Sequence, residues 1–268
     1  MPIVKLPSQV EMYYEVHGQG EPLVLINGLK SDHNGWAPML NTLKEHFQLI
    51  LLDNRGMGQT KDNGKAFLID DMALDVIHLM DHLKIESAYI AGHSMGGAIA
   101  QRIGYIAPEK VKKLFLCNTF IKFNNTARQV FENVLTLYHN NASRVEIIDA
   151  VIPWVFVDGF VTPELRKLIH DQVNADPLWQ SKEDYARQLH ALNTFDSSGW
   201  VEKIAVSTVV IGSKADKTAL PKESELLAEK MNAGLVMLDG GHASAVEQSV
   251  AFSDILLTHA QQRCNCTM

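Results

Sequence analysis

The chain has 268 residues, 46% of them hydrophobic and 21% charged, enough for one large α/β domain carrying an insertion or for two small domains with a substantial core. Lys and Arg number 24 against 31 Asp and Glu, and the formal charge of −7 argues against a nucleic-acid or anionic-membrane surface and favours a neutral or apolar substrate over a polyanion. No stretch approaches the ~18 apolar residues of a membrane helix, no signal-type leader precedes the strand-like residues 3–6, and the three cysteines make no disulfide framework. Cys117 falls in a buried-looking strand, and Cys264 and Cys266 fall in a polar tail. The expectation is a soluble cytoplasmic protein that binds neither membrane nor nucleic acid.

Residues 11–16 and 22–27 read as two strands joined by the turn-forming His17-Gly18-Gln19-Gly20, which predicts an opening antiparallel hairpin. Short apolar runs recur at 49–52, 88–91, 114–117, 209–211 and 235–238, with helical patterns between most of them. That is the signature of a parallel sheet covered on both faces. One helix is marked near 70–83, with Asp70 or Asp71 as its cap and Met72, Val76, Leu79, Met80 and Leu83 as its apolar stripe. Asp75, His78 and His82 lie on what reads as its solvated face. His78 and His82 have the i, i+4 spacing of metal ligands, but no Glu follows His78 as in H-E-x-x-H, so no metal is expected.

Between 120 and 200 the strand rhythm stops. Helix-like spacings group Val130, Val134, Leu137 and Tyr138, then Ile147, Ile148 and Val151, then Leu165, Leu168 and Ile169, then Tyr185, Leu189 and Leu192. This reads as a helical cap inserted over the sheet, with Trp154, Phe156 and Trp179 as candidate pocket residues. The predicted division is a core at 1–119 and 201–262, a cap at 120–200 and a C-terminal tail at 263–268. A last helix is predicted over about 245–260, with Val246, Val250 and Leu257 at helical spacing.

The chemistry is concentrated after the strands. Ala91-Gly92-His93-Ser94-Met95-Gly96-Gly97 follows one apolar run and opens a small-residue helix over 98–106. A strand, a G-x-S-x-G turn and a helix in that order make a nucleophile elbow, because Gly92 and Gly96 permit the tight turn that lifts the Ser94 hydroxyl off the sheet. A serine hydroxyl is too weakly acidic to act alone, so it needs a base, and the base needs an orienting group. Residues 211–216 leave a strand and end in Asp216, and residues 238–242 leave the next and end in His242. Both lie just beyond strand ends, where open α/β sheets bind ligands. His242 is therefore the candidate base and Asp216 the acid that orients it. Asp239, three residues from His242, reads as a turn cap, and Asn118 stands at another position where an acid could serve. His33 and His93 are alternative bases by residue type only, and His93 is expected to point away from the nucleophile and pack. The backbone N–H groups of Met95, at the helix start, and Leu29, in the loop that Gly28 keeps close, are the predicted oxyanion donors.

These stretches resemble the α/β-hydrolase superfamily over essentially the whole chain. Asn27-Gly28-Leu29 followed by Trp36 is similar to its oxyanion loop, residues 53–60 to its D-x-R-G-x-G-x-S turn, and Gly241-His242 then Glu247 to its terminal G-H-x-x-x-x-E. The resemblance implies the α/β-hydrolase fold, a mostly parallel eight-stranded sheet with helices on both faces and a helical cap insertion. It departs from the usual pattern at Asn27, where most members carry His, and at Ser207, where a Pro usually precedes the strand bearing the acid. Asn27, with Asn118-Thr119 after the sixth strand, is similar to 3-oxoadipate enol-lactonases and related single-cap esterases. That implies a cofactor-free serine hydrolase cleaving a carboxylic ester or lactone through an acyl-enzyme, with Arg55 as a structural pin between loops. The competing expectations are a carbon–carbon bond hydrolase, a cofactor-free haloperoxidase or perhydrolase, and a non-catalytic small-molecule receptor. The absence of Gly-Pro-Gly after Gly28 counts against the first. The expected partner is a small-molecule ester or lactone, and assembly as a homo-oligomer stays open.

Overall fold

The computed structural model describes residues 2–261. The predicted tail at 263–268, with Cys264 and Cys266, lies outside the described residues. In chain order the elements are β1 (Ile3–Lys5), β2 (Glu11–His17), β3 (Glu21–Ile26), α1 (Ala37–Leu43), β4 (Phe47–Leu52), α2 (Ile69–His82), β5 (Ala88–His93), α3 (Met95–Ile106) and β6 (Val111–Cys117). Four helices follow, α4 (Asn125–His139), α5 (Arg144–Val155), α6 (Pro163–Ala175) and α7 (Lys182–Thr194). The chain closes with β7 (Thr208–Ser213), α8 (Pro221–Met231), β8 (Gly234–Leu238), α9 (Ser244–Glu247) and α10 (Ser249–Gln261).

The strands form one eight-stranded sheet in the order β1-β2-β4-β3-β5-β6-β7-β8, antiparallel at β1 and β2 and parallel from β4 to β8. The opening hairpin predicted from the sequence does not form. β4 lies between β2 and β3, antiparallel to the first and parallel to the second. The turn that joins β2 to β3 therefore passes over the entry to β4. Gly18 has φ +72°, and a Cβ there would meet the Lys44 carbonyl oxygen at 2.2 Å and that of Phe47 at 2.5 Å. Only glycine fits this crossing.

Successive strand residues alternate between two cores, which is why the runs are apolar without alternation. Val24, Ile50, Ile90, Leu114 and Val210 join α2, α3 and α8 on one face, while Leu25, Leu51, Ala91, Phe115 and Ile211 join α1 and α10 on the other. α10 buries Phe252 and Leu256, but Val250, expected on its apolar stripe, is 76% exposed. The predicted single terminal helix is broken at Gln248 into α9 and α10; of the expected stripe only Leu257 packs against the core, and Val246 and Val250 are exposed.

α2 begins where Asp71 accepts a hydrogen bond from the Leu68 N–H at 2.8 Å, and it buries Met72, Val76, Leu79 and Met80. Asp75 corrects the sequence reading. The residue predicted on a solvated face is 0% exposed, paired through both carboxylate oxygens with Arg55 and accepting from the Ser8 hydroxyl at 2.7 Å. The carboxylate is tolerated there because its oxygens are fully engaged. Asp53 organises the same turn, accepting from the His33 backbone N–H and from the Gln59 N–H, each at 2.8 Å.

The helices between β6 and β7 start at side-chain caps that their sequence announces. Asn124, Ser143, Thr162 and Ser181 accept from the N–H groups of Ala127, Glu146, Leu165 and Asp184 respectively. Their buried residues, among them Val134, Tyr138, Ile147 and Tyr185, are continuous with the core on the α2–α3 face. Among the described residues no helix is long and apolar enough to cross a membrane.

Removing one partner of the Arg55–Asp75 pair leaves the other charge buried and alone. Asp75→Ala is expected to cost about 3–5 kcal/mol in urea unfolding; a loss under about 1 kcal/mol would show that the pair is not holding the turn to α2.

Candidate active site

The turn between β5 and α3 puts Ser94 in a conformation that few side-chain-bearing residues adopt, with φ 54° and ψ −118°. Its neighbours leave no room for anything but glycine. A Cβ on Gly92 would lie 2.1 Å from the Gly96 carbonyl oxygen, and one on Gly96 would lie 2.1 Å from that of Ile26. The turn is fixed from β6, where the Cys117 carbonyl accepts from the Ser94 N–H at 2.9 Å and the Thr119 hydroxyl donates to the Ser94 carbonyl at 2.8 Å.

Because β5, β6, β7 and β8 are successive neighbours in the sheet, the loops leaving their carboxyl ends emerge side by side. Asp216, after β7, is 3% exposed, and one of its carboxylate oxygens lies 2.9 Å from Nδ1 of His242, after β8. The other oxygen accepts from the N–H groups of Thr218 and Ala219. Ser94 and His242 line one cavity of about 420 Å³, together with Gly28 and Leu29 from the loop after β3. A Cβ on Gly28 would sit 3.0 Å from that of Ser94, so this glycine lets the loop close against Ser94. Among the described residues, neither the Leu29 nor the Met95 N–H has a hydrogen-bond acceptor, so both donors are unused.

The helical insertion supplies the outer wall of the cavity through Phe131, Val151, Val155, Phe156 and Trp179. Of the three candidate pocket residues, Phe156 and Trp179 line this cavity and Trp154 does not. Val151 and Val155 share the inward face of α5, and Trp154, one residue or about 100° away from Val155, is turned off it. His33 is also absent from the cavity, because Asp53 holds its Nδ1 at 2.8 Å. His33, Asp32 and Asp53 bring three ligand-type atoms within 4.8 Å of one another. Their hydrogen bonds to each other, to Asn34 and to Gln59 account for that proximity.

With this geometry in place, the sequence profile describing the α/β-hydrolase fold matches residues 21–248. The chain belongs to the α/β-hydrolase family. It is 28% identical over 260 residues, 94% of this chain and 98% of the relative, to a Stutzerimonas stutzeri protein named for carbamate hydrolysis, RutD. It is also 28% identical over 252 residues to 3-oxoadipate enol-lactonase 2 of Acinetobacter baylyi, covering 92% and 91% of the two chains. The crystal structure of the enol-lactonase from Burkholderia xenovorans superposes with a TM-score of 0.88 at 26% identity, over 97% of this chain and 100% of that one.

Two residues of this α/β hydrolase that the sequence marks only by motif acquire a structural role. Asn118, which stands where an acid could serve, is the centre of the polar network: its Nδ2 donates to Asp216 at 2.9 Å and to the Ser213 hydroxyl at 2.8 Å, and its Oδ1 accepts from Ser244 at 2.8 Å. The signal was available, since Asn immediately after a strand tolerates the left-handed backbone it adopts here, φ 46°. Glu247 accepts from the Gly241 N–H at 2.6 Å and from the Val157 N–H at 2.7 Å, tying the His242 loop to the end of α5.

Burial alone would raise the Asp216 carboxyl, but the His242 ring and the hydrogen bonds from His242, Asn118 and Thr218 outweigh it and hold the group below its ordinary value. His93 does pack, as expected, yet it does not point away from the site. Its Nε2 donates to the His242 carbonyl at 2.8 Å, its ring lies 4.8 Å from the His242 ring, and it lines the cavity. Burial, and then the neighbouring His242 ring, push it from 6.5 down to about 4. The unfolded chain takes up a proton between those values that the folded chain refuses, so this contribution to stability is full above pH about 6.5 and is lost as pH falls to about 4. His93→Gln is expected to reduce the fall in urea midpoint between pH 7 and pH 4.5; a fall equal to that of the unmodified protein would contradict the assignment.

Proposed function

We propose that the chain is a cofactor-free serine hydrolase of carboxylic esters or lactones, with the helices of 120–200 serving as the cap over its substrate pocket. The observation that carries this reading is the left-handed turn that presents Ser94 to the same cavity as the His242 ring, which is itself held by Asp216. Ser94 Oγ attacks the substrate carbonyl while His242 Nε2 takes its proton, and the Nδ1–H bond to Asp216 keeps the ring in the tautomer that can do so. The N–H groups of Leu29 and Met95 receive the oxyanion. His242 then gives its proton to the departing alkoxide, and water, activated by the same ring, releases the acid from the Ser94 ester. The chemistry of this donor set calls for no metal and no cofactor.

The enol-lactonase relatives support a lactone or ester as substrate. Carbamate hydrolysis, after which the RutD relative is named, would run through the same acyl transfer and is the second reading. The apolar wall of the cavity, with Phe131, Val151 and Phe156, suits a carbon chain better than a small polar carbamate and places the ester or lactone first. A cytoplasmic location belongs to the same proposal.

The test is hydrolysis of p-nitrophenyl esters from acetate to octanoate and of simple lactones, each with the Ser94→Ala variant as control. Turnover that falls at least about 10⁴-fold on losing the hydroxyl is the expected result. Turnover that survives in Ser94→Ala would refute the nucleophile, and turnover of carbamates alone would put the second reading first.

A further inference from the structure

The oxyanion loop continues from Leu29 into Lys30, whose backbone is left-handed at φ 60°, a conformation that costs any residue with a side chain. Gln188 on α7 stabilises it by accepting from the Lys30 N–H at 3.2 Å. The result is that the lysine side chain enters the cavity that holds Ser94 and His242.

Inside, Nζ donates to the Tyr138 hydroxyl at 2.9 Å and lies 3.2 Å from the centroid of the Trp179 ring. The Tyr138 hydroxyl uses its own hydrogen on the Gln180 carbonyl at 3.3 Å, so it offers Lys30 an oxygen lone pair and no charge. Lys30 forms no ion pair among the described residues. Asp176 also lines the cavity but acts on the amine only through space, and Arg144 opposes it. An ammonium group in a largely apolar wall, resting on one neutral hydroxyl and one aromatic face, retains unused N–H donors and an uncompensated charge. Burial accordingly pushes the Lys30 amine from 10.5 down to about 7. An anionic ligand entering the cavity would supply the missing partner. A chain with a net charge of −7 disfavours anions in general, so attracting one into this cavity requires a local cation.

We propose that Lys30 is a specificity-determining residue: its Nζ pairs with a carboxylate that the ester or lactone substrate carries at a distance from the scissile carbonyl. The proposal rests on the reading of Ser94 as nucleophile, and the experiment separates the two. Two matched pairs of esters place the charge on either side of the bond. Mono-p-nitrophenyl glutarate against p-nitrophenyl valerate tests the acyl side, and 4-butyryloxyphenylacetate against p-tolyl butyrate tests the alcohol side. In at least one pair the charged member is expected to have the higher kcat/KM, and Lys30→Met is expected to lower the charged-to-neutral ratio about tenfold, with Lys30→Arg recovering part of it. Ratios equal in the unmodified protein and Lys30→Met for both pairs would overturn the proposal while leaving Ser94-dependent hydrolysis intact. Should no ester be turned over in a Ser94-dependent way, the hydrolase reading fails and glutarate binding, followed by tryptophan fluorescence, still decides the role of Lys30. A dissociation constant about tenfold weaker in Lys30→Met supports it, and equal binding, or none to either protein, overturns it.

Discussion

The site depends on one constraint, a non-glycine residue held in left-handed backbone at the junction of β5 and α3. Such a turn persists only where its surroundings leave no alternative. Here Gly92 and Gly96 let backbone segments approach within distances that a methyl group would prevent, Gly28 brings its loop against the Ser94 side chain, and β6 fixes the turn through Cys117 and Thr119. The strain is what lifts the hydroxyl clear of the sheet. It also leaves the first N–H of α3 without an internal partner, so under the proposed function the turn that presents Ser94 would also supply an oxyanion donor beside it.

Around that turn the parallel sheet acts as an alignment device. Strands that neighbour one another bring Ser94, Asn118, Asp216 and His242 to adjacent loops although they are spread over about half of the chain. Asn118 links three of those loops and fixes the position of the Asp216 carboxylate. Glu247 joins the helical insertion to the His242 loop through the Val157 and Gly241 N–H groups, and Gln188 and Tyr138 join it to the loop after β3 through the Lys30 N–H and Lys30 Nζ. The wall that would choose the substrate is thereby built onto the groups that would transform it.

What could be read from the sequence was what local chemistry dictates. The glycines flanking Ser94, the apolar runs and the polar residues that follow them mark the turn and the sheet, because steric demand and burial are written residue by residue. What could not be read depended on a distant partner. β2 and β3 look like a hairpin until β4 comes between them. Asp75 looks solvated until Arg55, twenty positions earlier, is laid over it. Trp154 looks as apt for the pocket as Phe156, and what distinguishes them is that Trp154 still belongs to α5 whereas the chain turns extended at Phe156, just past the helix end. Lys30 gave no signal of its own, since a lysine in a loop reads as exposed unless the left-handed backbone that turns it inward is known.

Covalent capture tests the central claim most directly. The protein would be treated with a p-nitrophenyl alkylphosphonate, which mimics the tetrahedral intermediate, and the adduct located by peptide mass spectrometry. The account expects one phosphonyl group per chain, on Ser94, and none in the Ser94→Ala variant. An adduct on another residue, labelling that persists in Ser94→Ala, or no adduct would contradict it.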